Sequence, residues 1–475
     1  MRHKFDYFGT RLVFILCIFA VLATAILTRS AKWMGDFDQS FYLTIAYDID
    51  RHGIYSNGMF DDVNSVDAAP KPGMFIAPLY PLLVLAATKV DSRFAAAAWC
   101  SVEANHDRRD RSTCESYARP IHLIHALLLT LAVLAIARSA ELIFPGGATF
   151  WLAGVFATIG LQPLDELFSF VMTESLTFSL FSLTMLAMVK SWTSPGWRYV
   201  ALAGLLLGLL CLTRTAFVVL APVMIVLIFV NARRAGSSAW QGAQGALAFA
   251  LCFGLTIVPW AIRNSISVGK FGMTEEYGAA ALVERFAFNR MTPKEFALAF
   301  PYCLPGIGRC LIANTVGQAA TDRFEWYTPD SFFRIGRALR TELLALHKKL
   351  DPVIGDIVRN EMKDNWWRHI LVSIPLAWCG LWVGGPFALF LVPAFVWAGV
   401  AAIRRRQPLF LLYAVPALTM LALHAGLANH YTRYNLILIG PFAAAAAWLI
   451  ARWLSGHDGL FSRGRWRWRA TAPKS

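Results

Sequence analysis

Ten stretches of this chain are apolar and long enough to suggest membrane crossings, which no water-soluble fold would need. They are Leu12–Leu27, Ile121–Ala137, Phe150–Leu164, Phe168–Val189, Tyr199–Leu212, Ala216–Val230, Gly245–Trp260, Pro386–Ile403, Leu409–Leu427 and Leu436–Leu454. A spanning helix needs about 20 mostly apolar residues. Two further runs, Phe75–Ala87 and Ile370–Val383, are shorter or broken by Pro and Gly, and suit the interface. Composition agrees: of 475 residues, 57% are hydrophobic and 16% charged, and mean hydropathy is +0.50. The expected class is an all-α polytopic membrane protein.

Arginine placement sets the topology. If both weak runs stay on the outer face, Arg138, Lys190, Arg198, Arg233–Arg234, Arg404–Arg406 and the Arg-rich tail all fall on the N-terminal side. Making either weak run a span flips later clusters outward, against the positive-inside rule. The expectation is a bundle of about 10–12 transmembrane helices, ten by this count, with interfacial helices, outer-face loops and both ends cytoplasmic. The run after Arg2, Lys4 and Arg11, with Ala23–Ala25 near its end, has a signal peptide's charge pattern. Its apolar core is longer than usual, and an uncleaved first span is the preferred reading. Residues 1–454 form one transmembrane domain with outer loops 31–119 and 261–369, and residues 455–475 form a basic cytoplasmic tail. Asp330–Leu350 reads as a helix in the second loop. The formal net charge of +14 sits beside apolar runs, which fits anionic lipid rather than nucleic acid.

The cysteines agree with this arrangement. Cys17, Cys211, Cys252 and Cys379 lie in apolar runs, while Cys100, Cys114, Cys303 and Cys310 lie in outer segments. An oxidising periplasm would permit Cys100–Cys114 and Cys303–Cys310 disulfides. No CxxC pair has zinc-site spacing.

Charge beside hydrocarbon is costly and points to function. Asp36 and Asp38 follow the first span. The amphipathic stretch after them has Phe41, Leu43, Ile45, Ala46 and Ile49 on one side and Asp48, Asp50 and Arg51 on the other. Glu174 lies near the outer end of the fourth span, Arg214 between the fifth and sixth, Arg263 after the seventh, and Arg433 with Tyr434 before the last. Carboxylates and arginines converging at one depth suit acid–base work on one partner and phosphate binding on another. The plainer alternative is arginines that snorkel to headgroups.

The ordered pieces D-x-x-x-Y (Asp38–Tyr42), APLYP (ending at Pro81), T-E-S-L (Thr173–Leu176), L-T-R (Leu212–Arg214), P-W-x-x-R-N (Pro259–Asn264) and R-Y (Arg433, Tyr434) resemble the GT-C glycosyltransferases that use polyprenyl-phosphate sugars. The nearest likeness is to bacterial relatives of protein O-mannosyltransferases and lipid A aminoarabinose transferases. The resemblance implies Asp38 as base, with Asp36 as its rival. It implies Glu174 as a second acidic position, and Arg214, Arg263 and Arg433 at the donor phosphate. Tyr42, Tyr80 and Tyr434 are expected to bind substrate. Asp38-Gln39 stands where the family often has Asp-Glu, Val90–Arg119 looks inserted, and no large soluble domain follows the last span.

The implied activity is a bacterial inner-membrane hexosyl- or pentosyltransferase with a periplasmic site. It would move a sugar from a polyprenyl-phosphate donor to a lipid, glycan or protein acceptor, with inversion. A phosphate leaving group needs cations, and a hydroxyl acceptor gains from a carboxylate base. No Gly-rich nucleotide-binding turn is present. No cofactor is specified; a divalent metal is admitted at His122 and His125, one turn apart, although helix-surface histidines are commoner. The competing class is a transporter or flippase of a lipid-linked saccharide, which would more often show paired repeats.

Overall fold

The computed structural model describes residues 2–456 except 30–32, 37, 59–67, 107–109, 195 and 429–431, with side chains from residue 9 onward. The Arg463–Arg469 stretch lies outside the described residues. All regular structure among them is helical. After α1 (Arg2–Leu27) come α2 (Gln39–His52), α3 (Leu79–Val90) and α4 (Ser92–His106), then α5 (Arg119–Ile143), α6 (Thr149–Leu161) and the single turn α7 (Asp165–Phe168). Next are α8 (Glu174–Thr193), α9 (Trp197–Cys211), α10 (Leu220–Arg234) and α11 (Ala239–Ser267). The second loop holds α12 (Tyr277–Phe286), α13 (Pro293–Tyr302), α14 (Gly308–Thr315), α15 (Gln318–Asp322), α16 (Phe332–His347) and α17 (Ile354–Met362). The chain closes with α18 (Trp366–Leu381), α19 (Ala388–Arg404), α20 (Pro408–Leu427) and α21 (Ile439–Leu454).

Side-chain pairs show which helix ends share a face. At one face, Arg29 at the end of α1 meets Asp165 at 2.5 Å, and Leu79 N donates to Leu212 O at the end of α9 (2.8 Å). At the opposite face, Arg11 near the start of α1 meets Glu141 at the end of α5 (3.1 Å). There too, Arg405 after α19 lies over Trp448 of α21 at 5.8 Å, and Lys190 of α8 lies over Tyr199 of α9 at 5.5 Å. Ten described helices therefore run between the two faces: α1, α5, α6, α8, α9, α10, α11, α19, α20 and α21. Arg233–Arg234 and Arg404–Arg406 lie in or beside the short connections at the second face, where the positive-inside argument counts them, although the long first-face segments are rich in arginine and lysine as well.

Both weak runs stay in the first layer. The start of α3 is held at Leu212, and its last turn returns to α2 through a Lys89–Asp50 ion pair. In α18, His369 Nε2 near the start donates to Gly426 O (2.8 Å), while Cys379 near the end is bonded to Cys303 after α13.

Seven helical stretches meet the length and apolarity of a span: Gly9–Leu27, Arg119–Ile143, Thr215–Arg234, Ala239–Ser267, Gly385–Arg404, Pro408–Leu427 and Thr432–Leu454. This is a multi-pass membrane protein. Of the other three crossing helices, α8 is almost wholly buried in the bundle. It can therefore carry Ser175, Thr177, Ser179, Ser182 and Thr184 inside protein rather than lipid. The short α9 lies so close to α11 that a Cβ at Gly204 would fall 2.3 Å from Phe249 O.

Two local expectations change. Asp48 is buried, not on the polar side of α2, because Ser56 Oγ donates to its carboxylate. Cys100–Cys114 forms, with Cα atoms 5.6 Å apart, but Cys303 pairs with Cys379 (Cα–Cα 5.1 Å) rather than with Cys310. The end of α13 packs on α18, where Trp378 Nε1 donates to Phe300 O (2.8 Å), and this sets Cys379 beside Cys303. Cys310 is exposed on α14. Non-reducing peptide mapping should recover the Cys303–Cys379 peptide, with Cys310 alkylated. Loss of this bridge should lower stability by up to about 4 kcal/mol in the chain-entropy model. The expected helix in the second loop is α16, capped by Ser331 Oγ accepting from Arg334 N (3.2 Å).

Candidate active site

Asp38 precedes α2 but makes no side-chain cap bond, so its carboxylate is free to reach across the face. Buried Gln39 does the anchoring. Its Oε1 accepts from Val171 N (2.8 Å), and its Nε2 donates to Trp33 O and Asp36 O (3.4 and 3.3 Å). A Glu here could accept but not donate, which gives Gln after Asp38 a physical reason.

Four distant segments meet at this point. Glu174, 1% exposed, opens α8. Arg214 comes from the turn after α9: its Nη2 pairs with Glu174 and its Nε donates to Thr173 Oγ1 (2.8 Å). Arg433 joins from before α21, with Asp38 at 2.9 Å and Glu174 at 3.9 Å. The result is an alternating chain, Asp38–Arg433–Glu174–Arg214. Both guanidinium groups lie against the Tyr434 ring, at 5.3 and 5.6 Å. Glu174 Oε2 accepts no hydrogen bond among the described residues.

Aromatic groups surround the cluster. Tyr42 meets Tyr80 edge to face (5.0 Å), and Tyr80 Oη donates to His125 Nε2 (3.0 Å). Burial and the Asp38 charge push the Tyr42 phenol well above its ordinary range. Tyr277 is raised by Tyr434, burial and Asp38. Both therefore stay protonated at neutral pH. A cavity of about 780 Å³ opens beside the cluster, with Asp38, Arg433, Tyr434 and Tyr277 in its wall.

The other candidates are placed differently. Asp36 also lines the cavity, but it is half-exposed and 3.6 Å from Arg111. Arg263 is not in the cluster. Its Nη1 donates to Gly73 O (2.6 Å) and Asn264 Oδ1 (3.0 Å), and its Nη2 to Tyr55 O (2.8 Å). It also stacks against Trp260 and Tyr55 at 5.0 and 5.3 Å. The end of α11 thus binds the loop after α2, and the Arg263 fork is spent on backbone. Arg263→Met should lower the melting temperature, at about 1.5–3 kcal/mol per charged hydrogen bond; an unchanged melting temperature would return Arg263 to the site. His122 Nε2 donates to Ser169 O (2.7 Å) and His125 Nδ1 to Phe168 O (2.9 Å). Among the described residues, no three His, Cys, Asp or Glu side chains stand together as a metal set.

Three contributors are not among the expected site residues: Gln39, Tyr277 and Arg285. The last is fully buried on α12 and donates to Ala425 O (2.7 Å) and Ser373 Oγ (2.9 Å). It fixes the end of α20 shortly before Arg433. Among the sequence features, only the position of Arg285 on the apolar face of a helix could have singled it out.

No family model matches the chain, and no curated protein matches it. Among solved structures, it is similar to the crystal structure of ArnT from Cupriavidus metallidurans bound to undecaprenyl phosphate. Identity is 13% and the TM-score 0.39, over 94% of this chain and 79% of that one.

Proposed function

We propose that the protein is a membrane glycosyltransferase of the GT-C type, moving a sugar from a polyprenyl-phosphate donor to an acceptor hydroxyl. The observation that carries this reading is the Asp38–Arg433–Glu174–Arg214 chain beside an aromatic-walled cavity at the helix ends. The ordered motifs supply these four residues together with Tyr42, Tyr80 and Tyr434. The short connections at the opposite face, with Arg233–Arg234 and Arg404–Arg406, support a periplasmic site in a bacterial inner membrane.

In the proposed reaction, the donor phosphate takes Arg433 from Asp38, with Arg214 behind it. Arginine suits this because its fork matches phosphate oxygens. The released Asp38 accepts the proton of the acceptor hydroxyl. The acceptor oxygen bonds to the anomeric carbon as the bond from that carbon to the phosphate oxygen breaks. One displacement inverts the centre, and polyprenyl phosphate leaves with its added charge held by the arginines. Glu174 keeps Arg214 and Arg433 in place, and Tyr434 shapes the sugar site, with Tyr42 and Tyr80 packed outside the cavity wall. The acceptor is a lipid, glycan or protein hydroxyl.

The test is transfer from a polyprenyl-phosphate sugar by the purified protein, with acceptors drawn from an extract of a deletion strain and products read by mass spectrometry. Glycosyl transfer supports the proposal. Movement of the donor across reconstituted vesicles without transfer supports the flippase reading instead.

A further inference from the structure

The cavity does not end at Asp38 and Arg433. It continues along α12, whose Tyr277, Ala280, Ala281 and Glu284 line it at helical spacing. At 1.5 Å per residue, that face is about 10 Å long. The Tyr277 end faces Tyr434 and Asp38. At the Glu284 end, α16 crosses α12 at Gly336, where a Cβ would fall 2.5 Å from Glu284 O. This close approach brings Arg337 and Arg340 into the same cavity.

Four carboxylates, Asp36, Asp38, Glu166 and Glu284, and four arginines, Arg111, Arg337, Arg340 and Arg433, line the cavity, but not every arginine faces a carboxylate. Asp38 pairs with Arg433, Asp36 with Arg111, and Glu284 with Arg340 at 2.7 Å. Arg337 has no carboxylate partner among the described residues; its guanidinium lies 4.1 Å from the centre of the Trp326 ring. Tyr327 beside it also lines the cavity and is 69% exposed. Two alanines form the floor between the ends. An arginine without an anion, held on the Trp326 ring, the exposed Tyr327 ring beside it and a floor free of polar side chains together match a sugar ring that bears a negative charge.

We propose that the Arg337–Trp326–Tyr327 end is the acceptor subsite and that it takes an acidic saccharide, either phosphorylated or carboxylated. The assignment of this saccharide as acceptor depends on the glycosyltransferase reading; the binding site itself does not. The acidic group would sit at the Glu284 end of α12 and the reacting hydroxyl at the Tyr277 end, beside Asp38, with about 10 Å of helix axis between them.

Binding tests this without turnover. Saturation-transfer NMR on the full-length protein in detergent would compare glucose 6-phosphate, glucuronic acid and glucose, with inorganic phosphate as competitor. The acidic sugars should bind at least about tenfold more tightly than glucose, since a charged hydrogen bond adds that much or more. Arg337→Gln should bring them to the level of glucose, and Arg337→Lys should restore part of the difference. Decaprenyl phosphate binding should be unchanged in both variants and weakened by Arg433→Gln. A preference for phosphate over carboxylate, or the reverse, names the acid. Equal binding of all three sugars, acidic-sugar binding that survives Arg337→Gln, or complete competition by inorganic phosphate at equal concentration would overturn the subsite. Arg337-dependent binding in a protein that never transfers sugar would overturn the glycosyltransferase reading and leave an acidic-saccharide site standing.

Discussion

Asp38→Asn is expected to lower transfer by about 10²–10⁴-fold, the usual worth of a general base. The protein should still insert and fold. Asn keeps the shape, Asp38 is one-third exposed, and it caps nothing. Donor affinity should hold or rise, because Arg433 then reaches the phosphate without leaving a carboxylate. A loss of turnover with donor binding intact separates a base from a residue that merely shapes the phosphate site. Asp36→Asn should cost under about tenfold, since its contact with Arg111 is long and exposed, and such pairs are worth about 0–1 kcal/mol. The measurement is single-turnover transfer alongside equilibrium donor binding for both variants. Normal turnover in Asp38→Asn with a collapse in Asp36→Asn would move the base to Asp36. Normal turnover in both would remove the proposed mechanism.

The second large effect is on stability. Arg214→Met should destabilise the protein by about 3–5 kcal/mol, the usual result of removing one partner of a buried ion pair. Glu174 would be left 1% exposed, with Arg433 3.9 Å away and one oxygen already lacking a hydrogen bond. Adding Glu174→Gln should recover most of the loss, because the uncompensated charge is gone. Activity should not return, because the second phosphate-binding arginine is still missing. Thermal unfolding in detergent, read beside the transfer assay, distinguishes these outcomes. A double variant as unstable as Arg214→Met alone would mean that the Arg214 side chain matters for packing rather than for charge.

Two positions, Arg263 and Cys379, show where reading the chain stops. Arg263 and Arg214 look alike in sequence, each a lone arginine at the end of an apolar run. Their difference lies in what stands opposite. Arg214 meets Glu174, forty residues back, while Arg263 meets the carbonyls of Tyr55 and Gly73, which are brought there by the fold of the first loop. Cys379 sits in the apolar run Ile370–Val383, which the arginines keep at the outer face, but nothing local marks it as the partner of Cys303. Only the packing of α13 on α18 puts it within bonding reach of Cys303.

Membrane crossings were legible because they depend on local quantities. The transfer cost of a segment depends on its own side chains, and the sidedness of a loop on its own arginines. The same locality placed Asp38, Glu174, Arg214 and Arg433 at one depth. Depth is a single coordinate, however, and a site needs all three. Which arginine faces which carboxylate, why Gln follows Asp38, and how α12 and α16 extend the cavity are decided by contacts between residues as far apart as 38 and 433. Such contacts arise only when helix packing fixes the lateral arrangement, and no residue's own chemistry specifies them.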